Sequence, residues 1–318
     1  MKKRPMLYGV WDGRKFGFID RRGKMVIPPR FDSISGSFDD WTSAGIGKRE
    51  GFIDSKGRWL VRPRFDFACA PTDGLAVVSR GRKCGYVNRR GKLVIGMKFD
   101  HAGQFAEGFA PVMIGRKWGF INRKGRLVTD LVFKYAFGFC EGLAQGQTRE
   151  GYCFFDRRMR LVIGPIPFDV WTCFSEGRVG FWQNGRLGYM DRGGRVVIPP
   201  RFQMGGEFSQ GLAWVMVNRL CGCIRKDGTY AVRPRFPAWR CARTWPLSRP
   251  MAFSEGLSAV RVHGKFGFVN TSGRMVIEPR FHRAFGLVNG LARVDLKVGK
   301  TIRQAYIDRR GRIVWQAP

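Results

Sequence analysis

The sequence predicts an all-β fold, a tandem array of about nine three-stranded β-meander repeats stacked as an open solenoid or superhelix. A β-propeller-like ring is the alternative. Three observations point there. The phrase FGFIDRRGKMVIPPRFD returns down the chain, as in GYVNRRGKLVIGMKFD and FGFVNTSGRMVIEPRF. Its first Gly falls at Gly17, Gly51, Gly85, Gly119, Gly151, Gly188, Gly222 and Gly267, with Ala305 in the ninth copy. Between copies recurs a second phrase, QFAEGFAPVMIGRK and its relatives. Self-similarity at such a period is the mark of a repeat architecture, in which one unit cannot bury its apolar face alone.

Each part of the unit has a local reason. Ala110 to Ile114 alternates and ends in a Gly-Arg-Lys turn, so it reads as a first strand. Trp118 to Asn122 is the second. Its aromatic position holds Phe18, Phe52, Tyr86, Phe120, Tyr152, Tyr189, Phe268 and Tyr306, with Cys223 the exception, and the next residue is aliphatic in most copies. A strand apolar on both faces is buried on both. Asp or Asn, two polar residues and Gly then form an Asx-capped turn with Gly in the left-handed position, as in Asp20-Arg21-Arg22-Gly23. The third strand, Met25-Val26-Ile27, is expected to stop at Pro28 and Pro29, which have no N–H for a ladder. Phe31 and its equivalents (Phe65, Phe99, Phe133, Phe168, Phe202, Phe236, Phe281) anchor the return loop. Three strands per unit, and a chain that starts and stops in phase with its repeat, favour the open array over a ring of four-stranded blades. One repeat domain spans 1–318, with an enlarged loop at 237–252.

These residues resemble the WG repeat family of bacterial β-repeat proteins, named for a Trp-Gly pair followed by an aromatic, an aliphatic and Asp or Asn. The motif is fullest at Trp118-Gly119-Phe120-Ile121-Asn122, with Lys117 before it and Gly125 behind. Phe16, Glu50, Cys84, Glu150, Leu187, Cys221, Phe266 and Gln304 stand where Trp belongs, while Gly, aromatic and turn survive in most copies. The resemblance implies a scaffold or accessory module and carries no catalytic residue.

Nothing in the sequence assembles an active site. The three histidines, His101, His263 and His282, sit at different phases of the repeat. The carboxylates Asp20, Asp54, Asp156, Asp191 and Asp308 alternate with Asn88, Asn122 and Asn270, as turn capping by an oxygen acceptor allows and acid–base chemistry does not. Glu107, Glu141, Glu176 and Glu255, each before a Gly, read as structural. Cys84, Cys153, Cys221 and Cys223 read as small core residues, and no second close cysteine pair completes a zinc site. A non-enzyme without metal or small-molecule cofactor is expected. The start MKKRPMLYGVWDGRK lacks an apolar run of signal-peptide length, and no segment has the apolar length of a membrane span, so no membrane role and a cytoplasmic address are expected.

Charge is the outlier. Lys and Arg number 57 against 24 for Asp and Glu, a formal net charge of +33. Self-repulsion of that size suits a polyanionic partner. The cations recur at fixed phases: in and after the turn stand Arg21, Arg22, Lys24, Arg58, Arg89, Arg90, Lys92, Arg123, Lys124, Arg126, Arg157, Arg158, Arg160 and Arg195. Before the anchoring Phe stand Arg30, Arg64, Lys98, Arg201, Arg235 and Arg280. Stacking turns each phase into a stripe, and two stripes suit a phosphate backbone. In the enlarged loop Trp239, Arg240, Arg243, Trp245 and Arg249 interleave rings with guanidinium groups, the mix that stacks bases and pairs phosphates. The leading expectation is a scaffold that binds DNA or RNA by backbone contacts as an accessory to a larger assembly. The alternative is a protein-interaction scaffold that docks an acidic partner.

Overall fold

The computed structural model describes residues 6–36, 38, 40–170, 173–237 and 252–318. Every regular element among them is a β-strand. The strands form nine antiparallel sheets, or blades, of three or four strands each. The chain divides into two compact units, Met1–Pro167 with five blades and Phe168–Pro318 with four.

Blade 3 shows the plan. Its strands Phe67–Ala68, Leu75–Arg80, Lys83–Asn88 and Leu93–Phe99 lie in sequence order across the sheet. Lys83–Asn88, the second of the three strands expected from the sequence, is buried on both faces as expected: Tyr86 and Val87 are both 0% exposed. The same holds for Phe18 with Ile19, Phe52 with Ile53, Phe120 with Ile121 and Phe268 with Val269. Burying one such aromatic contributes about 2–3 kcal/mol, so each blade's core is this strand and the Phe that ends the third.

Two expectations are corrected. The unit is not limited to three strands. A further strand precedes the first, only two residues long at Ser33–Ile34, Phe67–Ala68 and Met204–Gly205 and six at Tyr135–Cys140 and Arg283–Val288. It was hidden because the stretch after each anchoring Phe reads as loop. Five of the nine blades therefore have the four strands usual for a propeller blade, so the blades are of the type that the propeller alternative named and not three-stranded solenoid units. The third strand also does not stop at its prolines. Met25–Phe31 runs through Pro28 and Pro29, and Phe16 pairs with Phe31 after a register slip against Phe18–Ile27. The strand is a sheet edge, and the prolines sit in the slip where the missing N–H is not called upon.

That slip explains the repeat's Gly. A Cβ on Gly51 would lie 2.3 Å from the Val61 carbonyl oxygen, because the bulged third strand crosses directly over its backbone. The ninth blade pairs Ala305 with Gln316 and slips only beyond it, so Ala fits there. Blade 4 is the irregular copy. Its third strand survives only as the bridges Ile121↔Leu127 and Trp118↔Phe133, with Thr129 Oγ1 accepting the Phe120 N–H.

Candidate nucleic-acid interface

The basic turns join the second and third strands, and one oxygen shapes each. Asp54 Oδ1 accepts the N–H groups of Lys56 and Arg58, both at 2.9 Å, while the Gly57 N–H reaches the Asp54 carbonyl. Asn88 Oδ1 does the same for Arg90 and Lys92 at 3.0 and 3.1 Å. Amide and carboxylate serve alike, so the slot is architectural. In blade 7 Arg225 occupies it, and Asp227 caps Thr229 instead. The turn Gly also faces the preceding blade: a Cβ on Gly91 would meet the Val61 side chain at 2.4 Å, and one on Gly125 would meet Ile95 at 2.8 Å. The tips are thus held rigidly.

The cations divide by what they touch. The row before the anchoring Phe is not a free stripe, which corrects the two-stripe expectation. Arg64 Nη2 donates to the Gly91 carbonyl of the next blade at 2.8 Å, Arg201 to Gly228 and Arg235 to Gly273 at 2.6 Å, and Lys98 to Gly125 at 3.4 Å. Arg30 and Arg280 make the same bond to Gly57 and Gly311. Each cation also lies over the ring of the Phe that follows it, 5.0–5.4 Å from the centroid. Charge, ring and carbonyl together rivet one blade to the next.

The turn row is partly spoken for. Its first position reaches back to the preceding blade: Arg89 pairs with Asp40 at 2.9 Å, Arg157 with Glu107 at 2.6 Å and Lys226 with Glu176 at 3.3 Å. The cation four residues after the cap pairs with it wherever the cap is Asp and the cation Arg: Arg58 with Asp54, Arg160 with Asp156, Arg195 with Asp191 and Arg312 with Asp308. These four guanidinium groups remain 68–82% exposed, so the pairs are weak and open to exchange. Arg21, Arg22, Lys24, Arg90, Lys92, Arg123, Lys124, Arg126 and Arg158 make no ion pair or side-chain hydrogen bond among the described residues. Lys56, which the sequence reading left out of its site set, stands with them at the same phase as Arg22 and Arg90. Trp239, Arg240, Arg243, Trp245 and Arg249 lie outside the described residues.

Glu107, Glu176 and Glu255 of the loop phrase are structural, as read from the sequence, and Asp73 and Gln210 act as they do. Asp73, Glu107, Glu176, Gln210 and Glu255 adopt positive φ before a positive-φ Gly, the two-residue turn that the strand twist prefers. Their side chains accept the N–H of Gly108, Gly142, Gly211, Gly256 and Gly290, one blade on, at 2.8–3.0 Å. Cys153, Cys221 and Cys223 are buried, as small core residues are. Burial pushes the Cys221 thiol up to about 11 and raises that of Cys223 further. Among the described residues no three His, Cys, Asp or Glu side chains gather as a metal site. No helix there is long and apolar enough to cross a membrane.

The profile of the WG containing repeat matches residues 16–40, 51–84, 85–118, 118–145, 188–221 and 266–297, more than half of the sequence. The chain belongs to the WG-repeat family. No curated protein matches it significantly. Among solved structures, the crystal structure of a eukaryotic initiation factor aligns over 99% of this WG-repeat chain and 96% of its own, with a TM-score of 0.67 at 8% identity. Kluyveromyces lactis Hsv2 aligns over 76% of this chain and 93% of its own, with a TM-score of 0.47 at 11% identity. The first likeness is one of fold alone, and it agrees with propeller-type blades rather than an open array.

Proposed function

We propose that this WG-repeat protein is a non-enzymatic scaffold that holds nucleic acid through the phosphate backbone, as an accessory to a larger assembly. The surface is the turn row of the first unit. One observation carries the reading: all five of its blades present a cation at the second turn position, as Arg22, Lys56, Arg90, Lys124 and Arg158, and none of these forms an ion pair among the described residues. Lys24, Lys92 and Arg126 extend the row where the cap is Asn or the cation is Lys. Regular, rigidly backed charge without base-reading donors fits a partner recognised by its phosphates.

An electrophoretic shift series against salt, with single- and double-stranded DNA and RNA, tests this. Each phosphate neutralised contributes a slope of about −0.9 in log affinity against log salt on duplex DNA and about −0.7 on single strands. A slope of about −4 or steeper is expected. A slope near zero, or a stoichiometric protein partner that alone protects the turn row from lysine modification, overturns it.

A further inference from the structure

The opposite end of the same blades carries a different pattern. In blade 3 the second strand, Lys83–Asn88, runs from the hairpin tip at 80–83 to the basic turn at 88–92. The two ends are therefore about 17 Å apart at 3.3 Å per residue. At the hairpin end of blades 3, 4 and 5 an exposed ring stands at one structural position, 34 residues apart: Phe67, His101 and Tyr135. The registers coincide. Phe67 pairs with Ser79, His101 with Met113 and Tyr135 with Gln147, each just before its hairpin tip. Phe67 is 51% and Tyr135 60% exposed. His101 is exposed too and is backed by Trp118, with centroids 6.2 Å apart and planes 22° from parallel.

Each ring comes with a guanidinium. Arg82, Arg116 and Arg149 occupy the three tips, exposed and without a side-chain partner among the described residues. The acids beside the first two rings are occupied. Asp66 is held by Arg49 and the Gly81 N–H, and Asp100 by Lys83 at 2.7 Å and the Gly115 N–H at 2.8 Å. Before the third ring the acid is replaced by Lys134, and Glu150 follows Arg149 in the tip. Architecture does not demand the rings, since Ser33, Met204 and Arg283 take the same position elsewhere.

We infer that the hairpin end of blades 3–5 is a second surface, which binds single-stranded nucleic acid by stacking unpaired bases on Phe67, His101 and Tyr135 while Arg82, Arg116 and Arg149 take the phosphates. An exposed ring offers nothing to a duplex, whose base faces are already stacked, whereas alternating rings and guanidinium groups match the alternation of base and phosphate in a single strand. This surface is independent of the turn row.

The test is fluorescence anisotropy of the full chain with a labelled 20-nucleotide single strand and with its duplex. Removal of all three rings (Phe67→Ala, His101→Ala, Tyr135→Ala) is expected to weaken single-strand binding about 100-fold, change duplex binding less than threefold and leave the salt slope unaltered. Tyr135→Phe keeps the ring and binds as the native chain does. Arg82→Ala with Arg116→Ala and Arg149→Ala is expected to flatten the single-strand salt slope by about 2. The inference is overturned if the native chain binds no single strand, or if a triple-ring variant with an unchanged unfolding midpoint binds it as tightly as the native chain. Equal losses on both ligands also overturn it. Charge reversal on the turn row (Arg90→Glu with Lys124→Glu) separates the two readings, because it is expected to weaken duplex binding about tenfold and leave ring-dependent binding in place.

Discussion

The turn rows of the two units are built alike and charged differently. In the first unit the second turn position is Arg22, Lys56, Arg90, Lys124 and Arg158; in the second it is Gly193, Asp227, Ser272 and Arg310. Blades 2 and 8 close the turn the same way, around an Asx oxygen and a left-handed Gly: Gly57 has φ 77° and Gly273 φ 79°. The second unit therefore shows that architecture has no need of a cation there. Its retention through five consecutive blades of the first unit calls for another reason, and a polyanion supplies one. The row before the anchoring Phe teaches the converse. Arg64 in the first unit and Arg235 in the second make the same carbonyl and ring contacts, and a position used by the fold is kept in both.

The largest effect should come from breaking the difference. Arg22→Glu, Arg90→Glu, Lys124→Glu and Arg158→Glu together reverse the exposed column of the first unit, and a loss of about 100-fold or more in nucleic-acid affinity at low salt is expected. Arg310→Glu in the second unit should cost less than threefold. Equal losses in a shift assay would mean that net charge alone, and not the placement of the row, governs binding.

Next in size is the contrast between a rivet and a free cation. Arg64→Ala removes a charged hydrogen bond and a ring contact, with an expected loss of about 1–2 kcal/mol in urea unfolding. Arg90→Ala should leave stability within about 0.5 kcal/mol, as exposed positions do, and weaken binding instead. Arg64→Ala should not alter the affinity of the folded chain. If Arg90→Ala destabilises as much as Arg64→Ala, the division between architectural and functional cations fails.

Moving charge into the second unit sharpens the comparison further. Gly193→Arg and Ser272→Arg extend the column of the first unit onto turns of the second that keep their Asx caps, Asp191 and Asn270. A gain of about tenfold in affinity and a steeper salt slope are expected, with the unfolding midpoint little changed.

Much of this is legible in the sequence. The double burial of Phe18 with Ile19 follows from an aromatic–aliphatic pair, and the Asp-to-Asn swap at 54 and 88 announces a cap rather than a catalyst. Composition could not separate Arg64 from Arg90: both are Arg beside an apolar strand, and only the approach of the next blade's Gly91 carbonyl makes one a rivet. The two-residue strands such as Phe67–Ala68 escaped for lack of length to show a period. The exposed ring at Phe67 was hidden with them, since without the strand its register against Ser79 has no meaning.

The smallest effect isolates one ion pair. Asp156 Oδ1 accepts the N–H groups of Arg158 and Arg160 at 2.8 and 2.9 Å, and Oδ2 holds the Arg160 guanidinium at 2.6 Å. The Arg160 N–H first, and then its guanidinium, hold this carboxyl below the usual carboxylate range. A depressed folded pKa stabilises above the unfolded value and is lost as pH falls through the folded one, so the pair persists at neutral pH and fails only in acid. Asp156→Asn keeps the capping oxygen, as Asn88 and Asn122 do in blades 3 and 4, and releases Arg160. Its expected result is a two- to threefold gain in nucleic-acid affinity at neutral pH, an unchanged unfolding midpoint there, and slightly less loss of stability than the native chain on acidification below the ordinary carboxylate range. An Asn variant that binds no better would mean that the partner already displaces Asp156 from Arg160, and the paired arginines would then join the interface on equal terms with the free ones.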